Sequence, residues 1–220
     1  MSFAAASMLP RWLLPAYIGS AALYVASLYY APYTGDVLLK VAPILLLLSL
    51  AVTGLRGRTR VLMSLALLFS GCGDALLARN LFAPGLGSFL VAQLCYVGHF
   101  LEQRQYDVRA RSRVLLVFVV CGLVCSLILP NTGEMLVPVT LYMVALAMMG
   151  VTAALYGAAS HLIFYGALSF ILSDSMIAID RFNTPFEGAQ YLIMVTYYAA
   201  QLMILWGVMG AAEAPDNQTQ

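Results

Sequence analysis

Charge is scarce in this chain. Asp, Glu, Lys and Arg together make up 10% of its 220 residues, against 62% hydrophobic residues, where an ordinary soluble domain is about a quarter charged and half apolar. A water-facing surface cannot be built from so little, and a mean hydropathy of +0.89 leaves lipid as the covering solvent. The formal net charge of +1 excludes the broad basic face that a nucleic-acid backbone demands, so no nucleic-acid partner is expected.

Cysteine and histidine are also sparse, at four and two residues. Cys72, Cys95, Cys121 and Cys125 lie inside apolar stretches and read as small hydrophobes, without a disulfide framework. His99 and His161 stand outside any HExxH or CxxC pattern, so neither a metal nor another cofactor is expected. No GxSxG elbow occurs, which removes the usual serine-hydrolase arrangement. The apolar run after Arg11 lacks a preceding basic region and a small-residue cleavage pattern, and reads as a retained span rather than a signal peptide.

Long apolar runs are what the chain does have. A bilayer core about 30 Å thick is crossed by roughly 20 apolar helical residues. Dividing the chain at charges, prolines and glycines predicts eight spans, at about Arg11 to Tyr30, Val37 to Gly54, Val61 to Ala78, Ser88 to Glu102, Val114 to Leu129, Leu136 to Leu155, Ser160 to Ile179 and Ala189 to Met209. The expected fold is all-α, a polytopic membrane protein forming one transmembrane domain over residues 1–220 with a short flexible tail at 211–220. Short arginine-rich loops stay cytoplasmic. Arg11, Arg56, Arg58, Arg60, Arg104, Arg109, Arg111 and Arg113 fall on one side, against Arg79 and Arg181 on the other, which places both termini in the cytoplasm.

An internal match runs through the spans. SGCGDALLARNLF in the third aligns with FILSDSMIAIDRF in the seventh, setting Asp74, Ala78 and Phe82 on Asp174, Ala178 and Phe182. Pro43 matches Pro138 one span earlier, and Phe89 to Gln93 matches Tyr197 to Gln201 one span later. Four crossings return the chain to the same side, so the pattern predicts two parallel four-helix repeats, about 11–106 and 114–210.

Polar groups in hydrocarbon cost several kcal/mol unless satisfied. Asp74, Asp174, Lys40, Gln93, Tyr142, Tyr197, Tyr198 and Gln201 all fall in or near the outer halves of their spans and predict one polar cluster at one level. A bland reading has Lys40 snorkelling, the aspartates pairing with Arg79, Arg181 or Lys40, and the glutamines joining helices. The functional reading rests on the recurrence of Asp74 and Asp174 at equivalent repeat positions, because paired carboxylates in a low-dielectric pocket titrate apart and can serve as acid and base. Ser70-Gly71-Cys72-Gly73 and Gly166-Ala167, with Ser169 and Ser173, suit close helix approach. His99 and His161 read as structural.

The ordered set Lys40-x-x-Pro43, Gly73-Asp74, Pro138 with Tyr142, Gly166-Ala167 with Phe170 and Ser173-Asp174, and Thr196-Tyr-Tyr-Ala-Ala-Gln201 resembles the YhhN-like family of eight-span membrane proteins, which in animals includes lysoplasmalogenase. The YYxAQ ending is nearer the animal branch. The resemblance implies hydrolysis of the 1-alkenyl ether bond of lysoplasmalogens, releasing a fatty aldehyde and glycerophosphocholine or glycerophosphoethanolamine without a cofactor. The partners would then be a lysophospholipid substrate and the bilayer, and the compartment the endoplasmic reticulum membrane, or the cytoplasmic membrane in a bacterium. Asp74 and Asp174 would be catalytic, and Lys40, Gln93, Tyr142, Tyr197, Tyr198 and Gln201 would meet substrate, Lys40 facing its phosphate. One position departs from the family pattern, since Phe89-Leu-Val-Ala-Gln93-Leu-Cys-Tyr96 carries Gln93 where the family has a histidine. A glutamine bonds in both directions but cannot shuttle a proton near neutral pH. The alternatives are a small-solute or lipid transporter and a catalytically silent lipid-binding relative.

The topology is tested by labelling. Single cysteines placed near Asn131 or Asn183 should react with an impermeant thiol reagent from the lumenal side, and reaction at Arg58 or Arg111 instead would overturn the orientation.

Overall fold

The computed structural model describes residues 12–104, 108–157 and 161–213. Among them the chain forms eight α-helices, α1 (Leu13–Ser27), α2 (Asp36–Gly54), α3 (Gly57–Ala78), α4 (Phe82–Glu102), α5 (Val108–Ile128), α6 (Leu136–Ala154), α7 (His161–Phe182) and α8 (Ala189–Glu213), with one 3-10 turn after α1 and two between α5 and α6. Eight helical segments, each counted with its adjoining turn, are long and apolar enough to cross a membrane. This is a multi-pass membrane protein.

Several boundaries differ from those expected, for physical reasons. α4 starts at Phe82 rather than Ser88, because Pro84 falls in the first turn, where its missing N–H removes no helical bond. α3 and α5 start at Gly57 and Val108, drawing Arg58, Arg60, Arg111 and Arg113 into helix. Arginine is a good helix former with a stem long enough to reach water, so these charges mark the membrane edge and not the helix end. α7 continues to Phe182 and α8 to Glu213, which shortens the expected tail. Arg11, Ser160 and residues 214–220 lie outside the described residues.

Each helix divides its surface between lipid and neighbour. Along α2, Leu38, Leu45 and Val52 recur every seventh residue and are exposed, while Ile44, Leu47 and Ala51 are fully buried. The two most extensive helix pairs are α3 with α4 and α7 with α8. Partners correspond half for half: α1 on α2 and α5 on α6, α2 on α3 and α6 on α7, and across the halves α8 on α2 and α4 on α6. α5 also meets α7 and α1 meets α8, contacts without an equally extensive counterpart among the described residues of the other half.

Small side chains make the close pairs possible. A Cβ on Gly166 would lie 2.9 Å from the Ile204 backbone nitrogen and 3.1 Å from the Ala200 oxygen, so α7 and α8 touch backbone to backbone. Gly73 leaves room for the Phe89 ring of α4, which such a Cβ would meet at 2.6 Å. Serines tie the same seams, with Ser88 Oγ donating to the Phe69 carbonyl at 2.6 Å, Ser169 Oγ to Thr196 at 2.8 Å and Ser173 Oγ to Ile193 at 3.0 Å. Packing and interhelical hydrogen bonds of this kind hold membrane helices together where lipid tails are as apolar as leucine.

At the end of the bundle where α3 and α7 finish, the turns are built from residues that accept left-handed backbone. Asn80 has φ +60° and follows α3, and the Leu81 N–H closes on the Leu76 carbonyl at 3.0 Å, a helix stop for which Asn is suited. Gly35 and Gly188, at φ +97° and +77°, lead into α2 and α8.

Gly166→Ala should destabilise the protein by about 1 to 3 kcal/mol, the usual cost of overpacking, because the backbone it meets cannot rotate away. Gly19→Ala on α1, with nothing within 4 Å, should be neutral or slightly stabilising. Thermal unfolding of the purified variants in one detergent decides between them.

Candidate active site

Lys40 stands one turn into α2, and its ammonium lies 3.7 Å from Asp74 Oδ1, with the two side chains 12% and 4% exposed. Pro43 cannot donate to the carbonyl a turn behind it, and in that stretch of α2 the Lys40 carbonyl accepts a hydrogen bond from Tyr198 of α8 at 2.7 Å. Tyr17 of α1 in turn donates to the Tyr198 carbonyl at 2.7 Å. Three helices thus fix the turn that carries the cation.

Asp174 has a different environment. It is 7% exposed, and its Oδ2 accepts a hydrogen bond from the Tyr142 hydroxyl of α6. Gln93 of α4, fully buried, reaches the Tyr142 oxygen with Nε2 at 3.5 Å. The aspartates lie within electrostatic range of each other, one with a cation beside it and the other with a neutral phenol. Asp74 is about one turn from the end of α3, whereas α7 runs two turns beyond Asp174, so Asp174 is the more deeply set along its own helix.

Between them packs an aromatic group in which Phe89 meets Phe170 and Tyr197 at 6.4 and 6.0 Å and Phe170 meets Tyr197 at 5.6 Å, all edge-on. Tyr96 donates to Gln201 Oε1 at 2.5 Å. The Tyr197 hydroxyl faces Asp74 without a hydrogen bond of ordinary geometry. Asp74 Oδ2, Gln93 Oε1, Gln201 Nε2 and Ser70 Oγ are also buried with no partner among the described residues, as are Ser64 Oγ and the His99 nitrogens away from this region. Buried polar atoms are usually satisfied, and this many left open in one band marks a place where water or substrate belongs.

Two spaces open onto this band. At the end where α3 and α7 finish, a polar cavity of about 490 Å³ is lined by Lys40, Asp36, Asn80, Asp180, Arg181 and Gln190 among others. Below it a narrow apolar crevice of about 30 Å³ runs past Asp174 and Tyr142 between Leu86, Val139 and Phe182. Leu77, Phe82 and Ile177 line both, so the polar cavity and the apolar crevice are neighbours across these side chains. Among the described residues no three His, Cys, Asp or Glu side chains are grouped to hold a metal ion.

Of the residues singled out from the sequence, Asp74 with Lys40, and Asp174 with Tyr142 and Gln93, are brought together as two sets facing one interior region, and Tyr197 joins the first. Gln201 meets Tyr96 instead. Tyr198 is turned toward α1 and α2, where its hydroxyl holds the Lys40 backbone, so it positions the cation and does not face either space. Lys40, expected at a phosphate, has Asp74 as its partner. Tyr17 and Tyr24 were not singled out, and Arg181 only as a partner for the aspartates, yet Tyr24 packs edge-on against Tyr198 at 6.2 Å and lines the polar cavity together with Arg181. The seven-residue spacing of Tyr17 and Tyr24, two turns on one face of α1, was the available signal. His99 is buried against Phe100 and Tyr156, and His161 accepts from Arg113 at 2.7 Å, both away from this region.

A model described as the YhhN family matches residues 35–208. The chain belongs to the YhhN family. Among its relatives, a lysoplasmalogenase of Mycobacterium bovis (strain ATCC BAA-935 / AF2122/97) is 37% identical over 187 residues, covering 81% of this chain and 72% of that protein. Human lysoplasmalogenase TMEM86B is 36% identical over 166 residues, 74% of this chain and 68% of the human one. Lysoplasmalogenase TMEM86A of Bos taurus is 33% identical over 171 residues, 72% and 69% of the two chains. The mycobacterial match is as strong as the animal ones, so this family member is not set apart toward the animal branch. No solved structure matches the chain.

Proposed function

We propose that this protein is a lysoplasmalogenase, a membrane-embedded hydrolase that cleaves the 1-alkenyl ether bond of lysoplasmalogens to a fatty aldehyde and glycerophosphocholine or glycerophosphoethanolamine. The observation that carries the reading is that a polar cavity lined by Lys40, the partner of Asp74, adjoins an apolar crevice lined by Asp174, which has Tyr142 as its unlike partner. An amphiphile with one polar end and one chain has this shape. The names of the relatives, all lysoplasmalogenases, support the same chemistry.

A vinyl ether is cleaved by protonating the terminal carbon of its double bond. The resulting oxocarbenium ion is captured by water to a hemiacetal, which collapses to aldehyde and free glycerol hydroxyl, consuming one water in all. The reaction needs an acid, an anion and a water. In the proposed division, Asp174 gives the proton, because it faces the apolar crevice in which the alkenyl chain would lie and has no cation beside it. Asp74, held as a carboxylate by Lys40, stabilises the cation and takes the proton of the attacking water, which the polar cavity supplies. This resembles the two-carboxylate logic of glycosidases. The crevice is narrow, and a chain lodging in it parts the Phe82 and Phe182 rings, now edge-on at 5.6 Å. Gln93 orients Tyr142 toward Asp174 and takes no proton. With the arginine-rich ends cytoplasmic, the polar cavity opens on the lumenal or outer face. The compartment we propose is the endoplasmic reticulum for an animal-type chain and the cytoplasmic membrane for a bacterial one.

Purified protein in detergent should release aldehyde from lysoplasmalogen, whereas a transporter needs a sealed bilayer and leaves the substrate intact. Asp74→Asn and Asp174→Asn should each lower turnover at least about a hundredfold, the scale of a positioned acid or base. Retention of more than about a tenth of wild-type turnover at equal folded amounts would reduce that residue to a structural role.

Gln93→His restores the residue the family pattern carries. If the aspartates supply all the proton chemistry, turnover should change only a few-fold and both limbs of the pH profile should stay with the carboxylate pair. An inactive wild type that becomes active on this substitution would instead make the histidine an essential acid or base.

A further inference from the structure

The polar cavity holds more charge than the reaction uses. Four charged side chains line it, Lys40, Arg181, Asp36 and Asp180, two of each sign. Lys40 is engaged with Asp74 at 3.7 Å, whereas Arg181 makes no ion pair among the described residues. Its guanidinium is held 4.0 Å over the Phe82 ring, at the junction between the polar and apolar spaces. Asp36 and Asp180 each spend one carboxylate oxygen on a backbone N–H, Val37 at 2.6 Å and Phe186 at 3.2 Å. That anchors both carboxylates, and neither makes an ion pair among the described residues.

We propose that this cavity is a headgroup site for zwitterionic lysophospholipids, in which Arg181 takes the phosphate and Asp36 and Asp180 take the ammonium. The assignment rests on the lysoplasmalogenase reading and adds which side chains of this protein hold the two charges of the headgroup. Helical register supports it. Arg181 follows Asp174 by seven residues, two turns along one face of α7, a rise of about 10 Å. Seven bonds separate the protonated vinyl carbon from phosphorus, and they span roughly 9 Å when extended. A lipid with its phosphate on Arg181 therefore carries its double bond to Asp174. A headgroup with a phosphate and no ammonium brings its extra negative charge against two unneutralised carboxylates, which disfavours it.

The test compares three alkenyl substrates, with phosphocholine, phosphoethanolamine and bare phosphate headgroups, on the full-length protein in detergent. In parallel, equilibrium binding of the vinyl-ether-free lysophosphatidylcholine and lysophosphatidic acid is measured by calorimetry. Wild type should favour the zwitterions by about tenfold, the scale of one charge-assisted hydrogen bond. Arg181→Gln should raise KM about tenfold for all three with little change in kcat, and Arg181→Lys should recover part of the loss. The Asp36→Asn/Asp180→Asn double variant should lose the discrimination against bare phosphate. Equal binding of the two ester lipids by wild type, or discrimination unchanged in the double variant, would overturn the proposal. Selective binding without aldehyde release would sink the hydrolase reading and leave the headgroup site standing.

Discussion

The buried ion pair between Lys40 and Asp74 is the interaction on which the rest of the structure depends. A lone charge within a bilayer costs about 2.5 to 3.5 kcal/mol on insertion scales, so neither side chain is tolerable at this depth without the other. At 3.7 Å the pair is also close enough to hold α2 against α3. The tyrosines extend it. Tyr198 holds the Lys40 carbonyl and Tyr17 holds that of Tyr198, so α1, α2, α3 and α8 converge on one cation. α1 lies ahead of the stretch matched by the family model, which begins at residue 35, yet it supplies two tyrosines to this brace.

The second aspartate is the chemical complement of the first. Asp74 and Asp174 hold matching places in the sequence alignment of the third and seventh spans, yet their environments differ. α2 brings a lysine to Asp74, while α6, its counterpart, brings Tyr142 to Asp174. A pair of carboxylates with identical partners would compete for one role. Unlike partners let the proposed acid and anion coexist in one pocket, with Gln93 behind the phenol where a titratable imidazole would add a third proton site.

The bilayer explains why such a site can be carved from so few polar residues. With no water around the helices, each buried donor or acceptor must be met from within, and serines meet the backbone of neighbouring helices at three seams. The groups left open among the described residues, including Asp74 Oδ2, Gln93 Oε1 and Tyr197 Oη, lie on the buried faces of α3, α4 and α8. Helix-end turns at Gly35, Asn80 and Gly188 set the rim above them.

The sequence by itself determined the eight crossings, because apolar length and local charge act within one helix and leave their mark in consecutive residues. It also singled out Asp74, Asp174 and Lys40, since a charge inside an apolar run is visible without knowing its neighbours. Helix starts were less legible at Phe82, Gly57 and Val108, where the membrane edge and the helix end are different boundaries. Only the tertiary structure decided partners: that Lys40, at the wall of the polar cavity, pairs with Asp74, that Tyr198 braces a backbone carbonyl, that Tyr17 and Tyr24 belong with it, and that Arg181 stands at a cavity lined from α2, α3, α7 and α8. Those facts depend on how helices rotate and approach, which is set by volumes such as Gly73 against Phe89 and Gly166 against Ala200, between residues far apart in the chain.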